Sequence, residues 1–261
     1  MENKTLKLIT LNAWHGRSLY PLMRFFRKYK EMVDIFCLQE VGNGDQKIVD
    51  ERHPDEHVHG QLFTKIAGEL TQFDGSFAAF QDDPHRMSLA IFVRRGIPVK
   101  IVKSFVVYQS EKPQETGGHV LSPRQLQYTI LNFSGREILI MNYHGLWTGG
   151  SKTDTPERIA ASKEIRKFMD TFTGPKILCG DFNLLPETES VAILEKGMKN
   201  LVKENHIEST RTLLYRHYDD PNEPNFADYM LTSPEIKVER FEVLPDLVSD
   251  HAPLYLEFSC S

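Results

Sequence analysis

The chain alternates between short apolar runs with a period of two and longer stretches with helical spacing. Leu6, Leu8 and Thr10 alternate in "LKLITLNAW", which predicts a first strand, and "VDIFCLQEV" is rich in β-forming residues. Between these runs, "SLYPLMRFFRKYK" has the spacing of a helix that Ser18 could cap, and "GQLFTKIAGELTQF" returns to helical spacing. The N-terminal part therefore predicts strands separated by helices.

The middle of the chain has a different order of elements. Several strand-like runs follow one another without a convincing helix between them: "SFAAF", "SLAIFV", "VKIVKSFVVY", "QLQYTILNF" and "EILIMNYHGLW". The clearest helix is "TPERIAASKEIRKFMDTF", with Thr155 as N-cap and Pro156 at the first helical position. Further strands are predicted in "KILCGDF", "NFADYMLTS", "KVERFEVL" and "PLYLEFS". This order predicts an α/β fold of two packed sheets flanked by helices. No repeat or linker divides the chain, so we expect a single domain over residues 1–261.

Composition and charge narrow the class of protein. The 261 residues carry a net charge of −5, which argues against a protein that coats DNA but leaves room for a nucleic-acid enzyme with a local basic groove. The three cysteines form no disulfide framework or zinc motif, which favours a reducing compartment. The N-terminal residues lack a signal-peptide pattern, and no run is long enough to span a membrane. We therefore expect a cytoplasmic monomer without an obligate protein partner.

Polar and ionisable residues stand at the ends of many predicted strands. Sheet proteins often place ligand sites at such positions. Each residue alone has an ordinary explanation as a turn, a solvated strand end or a structural histidine, except that a buried carboxylate in "NFADYML" would need a partner. Together they supply what metal-assisted hydrolysis of a phosphate ester requires. The set is Asn12, Glu40, His144, Asp181, Asn183, Asp228, Asp250 and His251.

The metal-binding part of this set follows from the preferences of magnesium. Mg²⁺ takes oxygen ligands and keeps several waters, so one or two carboxylates and an amide are sufficient. Glu40 could bind the ion, and Asn12 and Asp250 could contribute directly or through water. The expected cofactor is therefore Mg²⁺, or Mn²⁺ in its place.

The catalytic part of the set divides into an acidic strand end and histidines. Asp181 and Asn183 are two residues apart, so they project together from one strand and could activate and position the attacking water. His251 could contact the phosphoryl oxygens if Asp228 fixes its orientation. His144 offers a further donor to the phosphate.

Successive motifs of the chain resemble those of the endonuclease/exonuclease/phosphatase superfamily. They are "TLN" at 10–12, "LQEV" at 38–41, "NYH" at 142–144, "GDFN" at 180–183, "ADYML" at 227–231 and "SDHAPL" at 249–254, in the order of that family. The resemblance implies a four-layer α/β sandwich like that of deoxyribonuclease I, with two packed mixed or antiparallel sheets. It also implies a divalent-metal phosphoesterase in which Glu40 binds the metal beside Asn12 and Asp250. Gly145 departs from the pattern, because many members have leucine after the histidine.

The carried-over roles continue along the same motifs. By this resemblance Asp181 activates water, Asn183 positions the phosphate, and Asp228 orients His251.

The family acts on DNA, RNA, tyrosyl–DNA links, inositol phosphates and sphingomyelin, so the resemblance leaves the substrate open. We favour a phosphodiester in a nucleic acid or a nucleotide-linked molecule. The alternative substrate is an inositol phosphate or a phospholipid headgroup, and a third hypothesis is an inactive relative that serves as a binding module. For contacts with substrate we consider Trp14 and Trp147, which could stack on a base, and Arg124, which could reach a phosphate or form a surface ion pair.

Overall fold

The architecture consists of two six-stranded sheets packed face to face with helices on their outer faces. It is a computed structural model that describes residues 5–44, 48–49, 57–79, 88–109, 115–116, 119–149, 151–220 and 225–260. The first sheet has the strand order β15 (Ile236–Val243), β16 (Leu254–Cys260), β1 (Leu6–Asn12), β2 (Ile35–Gln39), β6 (Leu89–Arg94) and β5 (Phe73–Ala78).

The second sheet is mixed like the first. Its strand order is β13 (Lys199–Asn200), β14 (Asp228–Thr232), β12 (Lys176–Asp181), β11 (Arg136–His144), β10 (Arg124–Phe133) and β7 (Val99–Tyr108). Two short ribbons are formed by β3 (Ile48–Val49) with β4 (His57–Val58) and by β8 (Glu115–Thr116) with β9 (His119–Val120). The helices are α1 (Leu19–Tyr29), α2 (Leu62–Glu69), α3 (Pro156–Asp170), α4 (Glu189–Glu195) and α5 (Leu201–Glu204).

The period of two in β1 and β2 separates the two cores of the protein. Leu6 and Leu8 point into the core between the sheets, whereas Ile9 and Leu11 belong to the core beneath α1 and α2. On the first sheet's outer face, Phe26 of α1 packs edge-on against Phe36 of β2 with ring centroids 5.5 Å apart. Alternation along one strand thus produces two apolar faces, and each face is covered by a different layer.

Helix α3 covers the outer face of the second sheet. Its Phe168 lies 4.7 Å from the ring of Tyr128 on β10 and 4.9 Å from that of Phe105 on β7. The helix begins as the sequence predicts, because the Thr155 hydroxyl accepts the Arg158 N–H at 3.3 Å. Ser18 precedes α1 but makes no side-chain cap, which corrects that prediction. The layers follow the order helices, sheet, sheet and helices, so the predicted α/β sandwich is confirmed.

Parallel pairing carries the polar strand ends to one edge of the sandwich. β1 runs parallel to β2, and β11 runs parallel to β12, so the carboxyl ends of each pair lie side by side. β14 is antiparallel to β12 and therefore begins at the same edge. Beneath this edge lies a buried polar layer in which Gln39 Nε2 donates to Asn142 Oδ1 at 2.6 Å across the two sheets. Hydrogen bonding between the sheets fixes their relative position directly below the site.

None of the helices in the described ranges is both long enough and apolar enough to cross a membrane.

Candidate active site

Three neighbouring strands of the second sheet place three ionisable residues in a row. In the register of the sheet His144 stands opposite Asp181, and Asp181 stands opposite Asp228. All three side chains are buried. The backbones pack closely at this row. A Cβ added to Gly145 would lie 2.0 Å from the Phe182 oxygen, and a Cβ added to Gly180 would lie 2.1 Å from the Tyr143 oxygen. A side chain at position 145 would therefore clash with the backbone of Phe182.

The first sheet contributes Asn12 and Glu40 from the facing side. Asn12 ends β1, and Glu40 follows β2 with a left-handed backbone, φ 55°. The Asn12 amide nitrogen donates to Glu40 Oε1 and to Asp181 Oδ2, both at 3.0 Å. Its oxygen accepts the Trp14 N–H at 2.9 Å, and this donor fixes which end of the amide is oxygen. The Asn12 amide nitrogen thus orients the two carboxylates, and its expected role as a metal ligand stays a prediction.

His251 and Asp228 form the pair that the sequence predicts. The ring Nδ1 lies 2.8 Å from Asp228 Oδ2, and the ring Nε2 lies 3.6 Å from Asp181 Oδ2. Burial and the nearby Arg211 would lower the pKa of His251, but the surrounding carboxylates, Asp228 foremost, outweigh them and raise it. Burial raises the pKa of Asp228, although the His251 charge opposes this rise. The carboxylates thus stabilise the protonated ring relative to an ordinary histidine, and because Asp228 holds Nδ1, Nε2 is the nitrogen that faces Asp181.

His144 approaches the same carboxylates from the other side but carries a different charge. Its Nε2 lies 3.5 Å from Asp181 Oδ2 and 3.8 Å from Glu40 Oε1. Burial lowers the pKa of His144 to about 4 despite these carboxylates, so the ring is neutral at pH 7. Its Nδ1 is buried without a hydrogen-bond partner in the described part of the chain.

Asn183 lies two residues beyond Asp181, as expected, but the chain bends between them. Asn183 has a left-handed backbone, φ 53°, and its N–H donates to Asp181 Oδ1 at 2.9 Å. Its amide nitrogen lies 3.4 Å from the Gly145 oxygen. The backbone hydrogen bond holds Oδ1 of Asp181, so Oδ2 is the oxygen that faces Asn12 and the two histidines.

Asp250 takes a partner that the sequence did not predict. Its Oδ2 accepts from Arg211 Nη1 at 2.9 Å, and its Oδ1 lies 3.9 Å from His251 Nε2. Its role as a metal ligand stays a prediction, because this carboxylate is occupied by a guanidinium here.

The three residues considered for substrate contact lie in different environments. Trp147 is 36% exposed three residues beyond His144, whereas Trp14 is half-buried under Arg17, whose guanidinium carbon lies 5.3 Å from the ring centroid. Arg124 is only 2% exposed, and its guanidinium donates to the carbonyl oxygens of Gly145, Ser122 and Pro123. Arg124 therefore supports the loop after His144, which corrects the surface ion pair considered for it, and its contact with a phosphate stays a prediction.

Three further residues near the site were not identified from the sequence. His15 Nε2 lies 3.1 Å from Glu40 Oε2, in a turn where Trp14 and His15 both have positive φ. Arg211 and Lys152 lie in loops that reach the site, and both are buried. None of the three ends a strand, so the pattern that identified the other residues could not find them. The two positive φ values of the turn are conformations that only the folded chain reveals.

The donor set fits a divalent cation. Ligand atoms of Glu40, His144 and Asp181 all lie within 4.8 Å of one another, and so do those of Asp181, Asp228 and His251. Burial would raise the pKa of Glu40, but His15, His144 and the Asn12 amide more than offset this and lower it, so the carboxylate is ionised at neutral pH. Ionised carboxylates without a thiolate in the group suit a hard cation, and the imidazoles also suit a transition metal.

Comparison with known proteins relates this arrangement to a large family. The model of the Endonuclease/Exonuclease/phosphatase family matches residues 9–251. A solved endonuclease/exonuclease/phosphatase family protein from Bacteroides thetaiotaomicron is 18% identical, with a TM-score of 0.74 and full coverage (100%) of both chains. No curated protein matches the chain.

Two further solved structures share the fold and carry functional names. The mannosyl-6-phosphatase Bt3783 of Bacteroides thetaiotaomicron VPI-5482 is 18% identical, with a TM-score of 0.71 over 97% of this chain and 99% of the other. D. rerio TDP2, solved with a single-strand DNA product, is 14% identical, with a TM-score of 0.70 over 98% of this chain and 99% of the other. At these identities the two structures establish similarity of fold.

Proposed function

Because the chain belongs to the endonuclease/exonuclease/phosphatase family, we propose that it is a divalent-metal-dependent phosphoesterase whose reaction takes place at Asp181. The convergence of donors on one carboxylate oxygen supports this proposal. Asp181 Oδ2 lies 3.0 Å from the Asn12 amide nitrogen, 3.5 Å from His144 Nε2 and 3.6 Å from His251 Nε2. Such an arrangement can hold a water molecule and a phosphoryl group between a carboxylate and two imidazoles.

Asp181 orients the attacking water in this mechanism. Burial would raise its pKa, but the charge of His251, reinforced by Arg211 and Lys152, holds the pKa well below the usual value. The carboxylate is therefore ionised at neutral pH and can accept a hydrogen bond from the attacking water. As the water oxygen bonds to phosphorus, the bond from phosphorus to the ester oxygen breaks on the opposite side, and the departing oxygen takes up a proton from solvent. The Asn183 N–H keeps Oδ1 occupied, which leaves Oδ2 for this task.

The two histidines stabilise the charge that builds up on the phosphoryl oxygens. The imidazolium of His251 donates through Nε2, because Asp228 holds Nδ1. His144 is neutral, and its Nε2–H tautomer can donate a second hydrogen bond. Donors that are already oriented lower the barrier because they need no reorganisation during the reaction.

We assign the metal to Glu40, with Asp181 beside it and Asp250 as a further expected ligand. A bound Mg²⁺ or Mn²⁺ would supply Lewis-acid polarisation of the phosphoryl oxygen at this position. The Asn12 amide would then keep the carboxylates of Glu40 and Asp181 aligned. His15 would lie beside the Glu40 carboxylate.

The sequence favours a phosphodiester of a nucleic acid or nucleotide-linked molecule as the substrate. Exposed Trp147 beside the site and the DNA product held by the TDP2 relative support this choice. The second candidate is a phosphomonoester, such as an inositol or sugar phosphate. It is supported by the buried Lys152 near the site and by the mannosyl-6-phosphatase relative.

A substrate screen tests the proposal. Purified protein with Mg²⁺ or Mn²⁺ would be assayed against single- and double-stranded DNA, RNA, tyrosyl-linked oligonucleotides, inositol phosphates, sugar phosphates and sphingomyelin. We expect hydrolysis of at least one class, and we expect Asp181→Asn to abolish it while Asp74→Asn, in an exposed ion pair with Arg95, leaves it unchanged. A folded protein that binds these compounds and hydrolyses none would instead support an inactive binding module.

A further inference from the structure

Lys152 lies in the loop between β11 and α3 and is tied to the segment that follows Asn183. Its carbonyl oxygen accepts the Leu185 N–H at 2.9 Å. Its side chain is only 5% exposed, although lysine is among the residues least often buried. The backbone bond therefore fixes the loop in a position where a long cationic side chain extends into the protein rather than into water.

The ammonium group of Lys152 has unused hydrogen-bond donors. Nζ donates to the Phe226 oxygen at 2.6 Å, and no carboxylate of the described residues lies within 4.0 Å of it. Burial lowers the pKa of Lys152 to about 8, and the charge of Arg211 adds to this effect, whereas Asp181 and two other site carboxylates oppose it. An ammonium has three N–H donors, so at least two remain for a ligand. A buried cation without a counterion is unfavourable unless an anion binds there.

Arg211 places a second cation beside the first. Its Nη1 is paired with Asp250, but its Nε is buried without a hydrogen-bond partner in the described part of the chain. The ring of Tyr215 covers both groups, with its centroid 4.5 Å from the Arg211 guanidinium carbon and 5.9 Å from Lys152 Nζ. An aromatic cover excludes water, and this strengthens any hydrogen bond that the cations make to an anion.

We propose that Lys152 and Arg211 form a pocket for the additional charged oxygen of a phosphomonoester. Of the two candidate substrate classes, the site would then prefer the phosphomonoester, in place of the phosphodiester favoured on the sequence. A monoester carries close to two negative charges at neutral pH and presents three charged oxygens. A diester has one charge and two such oxygens, and its second substituent would meet the unused donors of Lys152 and Arg211. This inference rests on the proposed function, since it concerns the substrate class of the same site.

Two matched substrates test the pocket. 4-Nitrophenyl phosphate and 4-nitrophenyl methyl phosphate share a leaving group and differ in one methyl group that removes a charge. With Mn²⁺ present, Lys152→Met should lower kcat/KM for the monoester about 10- to 100-fold more than for the diester, because a charged hydrogen bond is lost only with the monoester. Lys163→Met, on the exposed face of α3, is the control and should change neither value.

Thermal unfolding and product inhibition separate this role from a structural one. Methionine has a similar length and no charge, so Lys152→Met should leave Tm unchanged or raise it. In the wild-type protein, inorganic phosphate should inhibit diester hydrolysis more strongly than dimethyl phosphate, and the variant should lose this difference. Equal losses on both substrates, a lowered Tm, or equal inhibition by the two anions would overturn the pocket while leaving the phosphoesterase intact. A wild-type protein that hydrolyses neither substrate would overturn the proposed function and the pocket together.

Discussion

Replacing Asp228 with asparagine tests the most specific electrostatic feature of the site. Asp228 is 2% exposed, and both its oxygens lie near His251 Nδ1, at 2.8 and 3.0 Å. The substitution keeps the size of the side chain and one oxygen acceptor but removes the charge. Burial and Arg211 then act on His251 with weaker opposition, so its pKa should fall and the ring should lose its proton at a lower pH than in the wild-type protein.

The structure sets the size of the expected effects. A hydrogen bond to a charged group contributes about 1.5–3 kcal/mol and a neutral one about 0.5–1.5, so the free energy of unfolding should fall by about 1–2 kcal/mol. Turnover should fall about 10²- to 10⁴-fold, the range typical of a positioned acid or base. The loss should match most of that caused by His251→Ala, and the double variant should lose little more, because the two residues act as one unit.

Steady-state kinetics with 4-nitrophenyl methyl phosphate, together with denaturant unfolding, measure both effects. The dependence of turnover on pH tests the direction of the His251 pKa shift. Since the pKa of His251 is raised in the folded protein, its protonated form and the activity that depends on it should be lost as pH rises through that pKa, and in Asp228→Asn this loss should occur at lower pH. Multiplicative losses in the double variant, or an unshifted pH profile, would refute the pairing as the source of His251's charge.

Three further predictions concern metal binding by Glu40, substrate contact by Trp147, and the pH dependence of stability caused by His144. Glu40→Gln should weaken Mn²⁺ binding measured by calorimetry at least about tenfold, because an ionised ligand becomes neutral; unchanged affinity would place the metal elsewhere. Trp147→Ala should raise KM for an oligonucleotide by about 5- to 100-fold, the effect of one base stack, without changing hydrolysis of a small chromogenic ester, and equal effects on both would identify a packing role. The buried His144 has a pKa of about 4 against an ordinary 6.5, so the unfolded state binds its proton first and the free energy of unfolding should decrease as pH falls from 6.5 towards 4. His144→Gln should remove that component of the pH dependence, and an unaltered dependence would argue against a neutral buried ring.

The sequence predicted the strands and their polar ends because both depend on local patterns. Asp181 and His144 follow apolar runs, and parallel pairing brings their ends together whatever the details of the loops. The sheet order places Asp228 next to them because β14 begins where β12 ends. These features require only a period of two and a correct assignment of strands.

The remaining features depend on contacts between distant residues. Arg124 resembles a surface cation in the sequence, yet it is buried against the loop after His144. The direction of the Asn12 amide depends on a single backbone donor, the Trp14 N–H, which the sequence does not reveal. Lys152 and Arg211 lie in loops whose paths depend on tertiary packing, and no spacing in the sequence indicates that they meet beneath Tyr215.

Removal of metal with a chelator, followed by addition of Mg²⁺ or Mn²⁺, tests directly whether a divalent cation and Asp181 carry the hydrolysis. We expect no hydrolysis of either 4-nitrophenyl ester in excess chelator, recovery with Mg²⁺ or Mn²⁺, and a loss of at least about 10³-fold in turnover for Asp181→Asn at an unchanged Tm. Full activity in the presence of chelator, or an Asp181→Asn variant within about tenfold of the wild-type rate, would contradict this expectation.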